Sequence, residues 1–382
     1  MRVLFAPDSF KGSLTSVEVA QALAAGWRRA RPGDEIRLAP LADGGEGTLD
    51  AIEAAGGWVR RRNPTHDPLG RPIEAAWLQS PDGQRAVVEL AAASGLSRLA
   101  PGERNPYAAT TFGTGELVMA AIGAGVRGLT LGIGGSATTD GGRGLVEAFG
   151  GRVSGATRDA RNWARVAVDL GPLDPRLGEL DVQVACDVNN PLLGPRGAAA
   201  TYGPQKGASG GDVAILDRRN EAWANALEPA ARRRERDTPG AGAAGGVGFA
   251  LLCLAGHFAS FALSPGVDVV MAAAGFETVL EGADLVITGE GRIDAQTAHG
   301  KTAFGVARRA RDAGVHCIAV GGGVEPGGAA ALATLGAEAI AAHDAPISLE
   351  AAIAAGASPI EAAAERLARL ITSAGGPATI AG

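Results

Sequence analysis

Arg2-Val3-Leu4-Phe5-Ala6-Pro7-Asp8 opens the chain as a short apolar run ended by a carboxylate, and the segment behind it decides the fold. From Thr15 to Arg31, the residues Val17, Ala20, Leu23, Ala24 and Trp27 recur at helical spacing, which predicts an amphipathic helix. Thr15 is its expected N-cap, and Glu18 completes a capping box. Pro32-Gly33-Asp34 turns the chain into a second strand, Glu35 to Leu41, which runs out into Ala42-Asp43-Gly44-Gly45 and a helix from about Glu46 to Ala55. The C-terminal part repeats this rhythm. Strands are expected at Asp284 to Thr288, His316 to Val320 and Ala337 to Ala342, with helices at Thr302 to Ala313, about Ala329 to Leu335, and a last one through Leu367. Strands joined by helices of this length form a parallel sheet covered on both faces.

The middle of the chain has a different texture. Ile73 to Gln79 and Arg85 to Leu90 flank Ser80-Pro81-Asp82-Gly83 as a hairpin would, which makes this a mixed sheet. Glycine-rich segments follow at 132–144, 194–211 and 239–248. The expected organisation is α/β. A doubly wound domain is built from residues 1–60 and 281–382, and a second α/β domain, 61–280, is inserted between its halves.

Composition narrows the function. The 382 residues are 46% hydrophobic and 20% charged, enough for well-packed cores. A net charge of −6 carries no electrostatic footprint for nucleic acid, and Arg60-Arg61-Arg62 and Arg232-Arg233-Arg234 read as solvated faces. Cys186, Cys253 and Cys317 form no CxxC pair and read as buried hydrophobes in a reducing compartment. The N-terminal apolar run is too short for a signal peptide, and Val247 to Leu263 is broken by Gly248, Gly256, His257 and Ser260. The expectation is a soluble, cytoplasmic protein without membrane or nucleic-acid partners, monomeric or homodimeric.

Ligands of open parallel sheets bind beyond the carboxyl ends of the strands. Reading just past each strand of the outer domain gives Asp8-Ser9-Phe10-Lys11, Asp43-Gly44-Gly45-Glu46, Gly289-Glu290-Gly291-Arg292-Ile293-Asp294 and Gly321-Gly322-Gly323. Asp and Gly are common at any strand-to-helix turn, but three acidic stretches on one rim exceed that background. Such a rim suits magnesium, which takes one or two carboxylates plus waters and phosphate oxygens. Glycine loops supply backbone N–H groups for phosphate, and two are expected to do so: Gly134, Gly135, Ser136, Thr138 and Asp140 in one, Gly242 and Gly245 in the other.

Lysine use is the sharper signal. Of 35 basic residues only Lys11, Lys206 and Lys301 are lysines, and each adjoins a glycine. A compact ammonium beside a phosphate or carboxylate is not replaced by a planar guanidinium. Lys11→Arg and Lys206→Arg are therefore expected to cost activity and to leave folding alone, as befits lysines at a cleft rim. Asp187, after the strand Val182 to Cys186, is a further candidate, readable equally as a ligand or as part of an Asx turn. Other motifs fail. Gly132, Gly134 and Ala137 form a lone GxGxxA match, Gly300-Lys301-Thr302 lacks the leading P-loop glycine, and no Gly-x-Ser-x-Gly occurs. The five histidines show no metal-ligand spacing, and only His299, beside Lys301, stands near a candidate.

Taken in order, the Ala6 to Ser13 stretch, Leu41 to Thr48, Thr111 to Leu117, the Gly134 to Gly142 loop, Ala185 to Gly194, Gly203 to Ala208, Gly240 to Gly246 and Thr288 to Lys301 resemble the bacterial glycerate kinase family across essentially the whole chain. The resemblance implies a flavodoxin-like doubly wound parallel-sheet domain with an inserted second domain. It also implies transfer of the ATP γ-phosphoryl group to D-glycerate, with Mg2+, to give 2-phosphoglycerate; the site is expected in the cleft between the domains. The roles inferred from the residues themselves are these: Asp187, Lys206 and Lys11 are expected to be catalytic, Asp8, Ser9, Asp43, Glu46, Arg292 and Asp294 to bind substrate, and Asp43 and Glu290 to bind metal. The rivals are a kinase of a related small hydroxy acid and a non-catalytic protein that closes on such an acid.

Overall fold

A computed structural model describes residues 1–156, 163, 165–299, 301–345 and 347–373. Strands β1 (Arg2–Pro7) and β2 (Glu35–Leu38) come first. The middle of the chain supplies β3 (Val59–His66), β4 (Pro72–Gln79), β5 (Arg85–Glu89), β6 (Gly128–Gly132), β7 (Arg152–Ser154), β8 (Ala167–Asp169), β9 (Asp181–Ala185) and β10 (Ser260–Ser264). Then β11 (Leu285–Ile293), β12 (His316–Val324) and β13 (Glu338–Ala341) return to the first sheet. Contacts divide the chain into two units: residues 1–43, 50–56 and 270 onward, and residues 44–49 with 57–269.

The first unit holds a sheet of order β13-β12-β11-β1-β2 in which every pairing is parallel. Numbered by use within the unit, this is the 2-1-3-4-5 order of flavodoxin-like sheets. Alternation along the strands sends Val3, Phe5, Leu285 and Ile287 to one face, where the helices Ser16–Ala30 and Ser358–Ser373 bury Val19, Leu23, Trp27, Ile360 and Ala364 against them. The helix Thr302–Asp312 packs on β11 and β12, with Ala303, Val306, Ala307 and Ala310 buried. The capping box forms: Thr15 accepts the Glu18 N–H, and the Glu18 carboxylate accepts the Thr15 N–H at 2.8 Å.

Two strands run further than the sequence pattern indicates. Gly289 to Asp294 and Gly321 to Gly323 read as loops, yet β11 and β12 stay paired through Ile293 and Val324. The glycines make this possible, because a Cβ at Gly289 would lie 2.5 Å from the Val320 carbonyl oxygen. In this segment they serve close backbone approach and not chain reversal. The C-terminal helix also differs, being two helices, Leu349–Ala355 and Ser358–Ser373, separated at Gly356, whose φ is +57°.

The second unit carries a mixed sheet of order β10-β9-β6-β5-β4-β3, parallel from β10 to β5 and antiparallel from β5 to β3, beside the antiparallel pair β7-β8. Its core buries Trp77, Trp163, Trp223, Phe149 and Phe249 among aliphatic side chains. The Arg60 to Arg62 run lies on the edge strand β3, whose Arg61 and Arg62 are exposed. Cys253 and Cys317 are buried and Cys186 is half-buried; all three are free thiols. The chain is therefore α/β, with a flavodoxin-like doubly wound parallel sheet in one unit and a mixed sheet in the other. Among the described residues no helix is long and apolar enough to cross a membrane.

Gly26 tests the helix pairing of the first unit. A Cβ there would lie 2.0 Å from the Glu361 carbonyl oxygen on the facing helix, and backbone cannot step aside as a flexible side chain can. Gly26→Ala is expected to cost about 2 kcal/mol or more, lowering Tm by about 5 °C or more. Gly33→Ala, where a Cβ meets nothing within 4 Å, should leave the thermal melt unchanged.

Candidate active site

The register of β1 and β11 builds the site. Pro7 pairs with Gly289, so the next residue on each strand, Asp8 and Glu290, is a carboxylate at the same carboxyl edge. From this edge β1 leads to the helix Ser16–Ala30 and β11 to Thr302–Asp312, so this is the point where the winding of the sheet reverses.

Both acids are buried and both are held by hydroxyls. Asp8 is 6% exposed; its Oδ1 accepts the Ser9 N–H at 2.6 Å, and its Oδ2 accepts the Thr302 hydroxyl at 2.5 Å. Burial first, and then the charge of Asp43, pushes the Asp8 carboxyl up to about 6 against the pull of those hydrogen bonds and of Lys11. Glu290 accepts the Thr297 hydroxyl at 2.6 Å. Burial raises its carboxyl to about 7, with Asp8 and Asp294 adding to the rise and Thr297 and Lys301 opposing it.

Lysines flank the pair on either side. Lys11, its side chain 75% exposed, donates to Asp43 Oδ2 at 2.7 Å. Lys301 occupies the N-cap position of Thr302–Asp312; its Nζ donates to Asp294 Oδ1 at 3.0 Å and lies 3.8 Å from Glu290. Arg292 pairs with Glu325. Asp8, Ser9, Lys11, Asp43, Glu290, Arg292 and Lys301 line one end of a cavity of about 820 Å³ that lies wholly within the first unit. The arrangement can bind an anion to its cations and a cation to its acids.

The acids fit magnesium. Two buried carboxyls raised by burial and by neighbouring negative charge are groups that a divalent cation would return to their charged forms. Among the described residues no three His, Cys, Asp or Glu side chains stand close enough to cage a metal unaided. Waters and phosphate oxygens would have to complete the shell, as is usual for magnesium bound with a nucleotide.

The remaining candidates belong to the second unit. Asp187 is exposed, and its Oδ1 accepts the Gly266 N–H at 2.7 Å; Glu46 is exposed on the 44–49 segment. The glycine loops pack on protein. A Cβ at Gly134 would lie 2.6 Å from Gly45 Cα, at Gly242 2.3 Å from the Pro191 oxygen, and at Gly245 2.0 Å from the Thr138 oxygen. Asp140 accepts N–H groups from Thr111, Gly142 and Gly144, and Thr138 is fully buried. The structure thus brings together Asp8, Ser9, Lys11, Asp43, Glu290, Arg292 and Asp294, and sets Asp187, Lys206, Glu46 and the two loops in the other unit. The hydroxyls of Thr297 and Thr302 escaped the sequence reading. In the sequence Thr302 shows only as the first residue of a helix and as the end of a P-loop-like stretch that lacks its leading glycine. The His299 side chain and Gly300 lie outside the described residues.

Lys206 corrects one expectation. It is not at a rim: it is 1% exposed, and its Nζ donates to Ser136 Oγ and to the Thr138 oxygen, each at 2.7 Å. Burial lowers its ammonium to about 7, with Asp140 opposing. Lys206→Arg must force a wider head into this space, so folding will not be indifferent to it, and a fall in Tm is expected. The native lysine itself leaves a pH signature. Between pH 7 and the unfolded value near 10.4, the unfolded chain binds more protons at this site, so stability rises with pH across that window. Relative to Lys206→Met, the wild-type urea midpoint should climb from pH 7 to pH 9.5. Parallel midpoints would mean that the ammonium is solvated.

Known proteins resemble this chain along nearly its whole length. The sequence profile of the glycerate kinase family matches residues 3–372. The glycerate kinase of Bacillus subtilis (strain 168) is 45% identical over 331 residues, 85% of each chain. The glycerate 2-kinase of Escherichia coli (strain K12) is 42% identical over 317 residues, covering 81% of this chain and 82% of that one. A crystal structure from Salmonella typhimurium LT2, provisionally assigned as a glycerate kinase 2, superposes with a TM-score of 0.82 at 37% identity, covering 98% of this chain and 99% of the other. The chain belongs to the glycerate kinase family, and it is an ATP-dependent kinase.

Proposed function

We propose that this kinase transfers the γ-phosphoryl group of ATP to the 2-hydroxyl of D-glycerate, giving 2-phosphoglycerate and ADP. The observation that carries the reading is the acid and lysine cluster at the reversal point of the parallel sheet, where Lys11, Asp43, Asp8, Glu290 and Lys301 meet in one cavity. Phosphoryl transfer needs positioning and charge neutralisation more than covalent chemistry by the protein. Lys11 and Lys301 supply positive charge to the substrate carboxylate and the transferring group. Asp8, Ser9, Arg292 and Asp294 orient the hydroxy acid. Asp43 and Glu290 would hold Mg2+, which neutralises phosphate charge when bound. The glycerate oxygen bonds to the γ-phosphorus as the bond to ADP breaks, and Asp187 is the group proposed to take the hydroxyl proton. Lys206 acts through the loop it pins, by holding Ser136 and Thr138 in place.

With ATP, Mg2+ and D-glycerate the protein should release ADP, and enolase added alone should convert the product to phosphoenolpyruvate. A product that needs phosphoglycerate mutase before enolase can act refutes the 2-hydroxyl assignment. Lys11→Arg keeps the charge but swaps the compact head for a fork. It should lower kcat about 10²-fold, with Tm unchanged because the side chain is mostly exposed. Wild-type turnover in this variant would remove Lys11 from the machinery.

A further inference from the structure

We infer that the cavity of the first unit is the nucleotide site: the nucleoside of ATP lies on its apolar wall, and the phosphates point to Lys11 and Lys301. The inference rests on the ATP-dependent kinase reading and adds the place of the nucleotide, which that reading leaves open.

The cavity has two unlike ends. One is the charged cluster described above. The other is lined by Val324, Ile347, Leu349, Ile353, Pro359 and Ile360. A small hydroxy acid is polar throughout and has no use for that wall. Its charged groups are served by the first end alone, and a volume of about 820 Å³ far exceeds its size. A nucleoside triphosphate matches both ends, with a flat apolar base at one and a polyanion at the other, and pockets for ligands of that size span roughly 300–1,000 Å³.

The wall is also unusually bare. Among the described residues seven large hydrophobic side chains are exposed, and Ile347, Leu349 and Ile353 are three of them, all on this cavity. Leu349, Ala352 and Ile353 sit at i, i+3 and i+4 on the short helix Leu349–Ala355, so one stripe of that helix faces the cavity, and Leu349 on it is 76% exposed. Contiguous exposed apolar surface of this kind marks a ligand groove or an interaction site. The charged end in continuity with it favours the ligand.

Gly323 supplies an independent observation. Its neighbour Gly322 is required by packing, because a Cβ there would lie 2.6 Å from the Gly291 oxygen. At Gly323 a Cβ would meet nothing within 4 Å, and its φ is not in the left-handed region, so neither packing nor backbone conformation calls for glycine. Gly323 lines the cavity, and its missing side chain keeps the floor open next to Val324. Close approach of backbone to a ligand is the remaining use of glycine at such a position.

The test is ADP titration by calorimetry on the full chain, without the acid substrate, for wild type, Gly323→Leu and Ile353→Glu. Gly323→Leu fills the floor, and Ile353→Glu places an anion on the wall at a position already 41% exposed. Each should weaken ADP binding about tenfold or more, and each should raise KM for ATP while leaving KM for D-glycerate and Tm unchanged. Unchanged ADP affinity in both variants overturns the inference, as does a wild-type chain that binds no ADP. A rise in KM for D-glycerate with ADP binding intact would overturn it by showing that the apolar end takes the acid. A wild-type chain that binds ADP but transfers nothing to D-glycerate removes the acceptor assignment alone, since the titration still decides the nucleotide site.

Discussion

Two carboxylates buried side by side on adjacent parallel strands set the terms for the first unit. Parallel pairing of Pro7 with Gly289 leaves Asp8 and Glu290 no choice but to share one edge of the sheet. Burying a charge is expensive unless hydrogen bonds and opposite charges compensate it. The surroundings do this in part: Thr302 and Ser9 serve Asp8, Thr297 serves Glu290, and Lys11 and Lys301 stand on either side. The compensation is incomplete, since both carboxyls remain well above their ordinary range. A fold whose only task was stability would have no reason to leave two acids in that condition, and perturbed acids in a cavity are a mark of functional sites.

Glycine is what lets the backbone come close enough for this edge to exist. The strands β11 and β12 extend past the sheet proper only because Gly289 and Gly322 present no side chain to the opposing carbonyls. That extension carries Glu290 and Arg292 on ordered strand, which aims their side chains more firmly than a loop would. In the second unit the same property is used differently. There the loops at 132–142 and 239–248 are locked against each other and against 44–45 by glycine contacts, with Lys206 pinning Ser136 and Thr138 from within. One unit uses glycine to extend a sheet, the other to close a cluster of loops.

Periodicity and caps made the outer fold readable. The Thr15–Glu18 box, the helical spacing up to Trp27 and the repeated strand-helix rhythm each rest on short-range physics, and each appears in the structure. The acids of the first unit were readable for a related reason, because any residue just past a parallel strand must lie on the ligand edge. The unread parts depend on contacts distant in sequence. Gly289 to Asp294 looks the same whether it turns or pairs, and only the glycines of β12 decide between the two. Lys206 is flanked by glycine like Lys11, yet one is interior and the other exposed, a difference set by the packing of residues some seventy positions away at Ser136 and Thr138. The apolar wall was hidden for the opposite reason. The sequence pattern shows a single last helix through Leu367, and the break at Gly356 is what leaves the Leu349–Ala355 helix as a separate element with its stripe toward the cavity.

The lysines make the physical distinction between the two units concrete. A chain that meets nearly every need for positive charge with arginine uses lysine where the head must be compact. Lys206 needs this to be enclosed: an ammonium fits between Ser136 Oγ and the Thr138 oxygen with no exposure to water, and a guanidinium fork does not. Lys11 and Lys301 need it for a different purpose. Lys11 donates to Asp43, and Lys301 donates to Asp294 and to the Arg292 carbonyl oxygen; the three donors of an ammonium rotate about one bond and can be redistributed when a second oxygen arrives. An arginine in either place would commit a planar fork to its carboxylate, as Arg292 does to Glu325. The lysines of the first unit can instead divide their hydrogen bonds between a fixed acid and an incoming anion. That division is what a site for phosphoryl transfer requires of its cations, because the charge they face moves during the reaction while the protein around them stays in place.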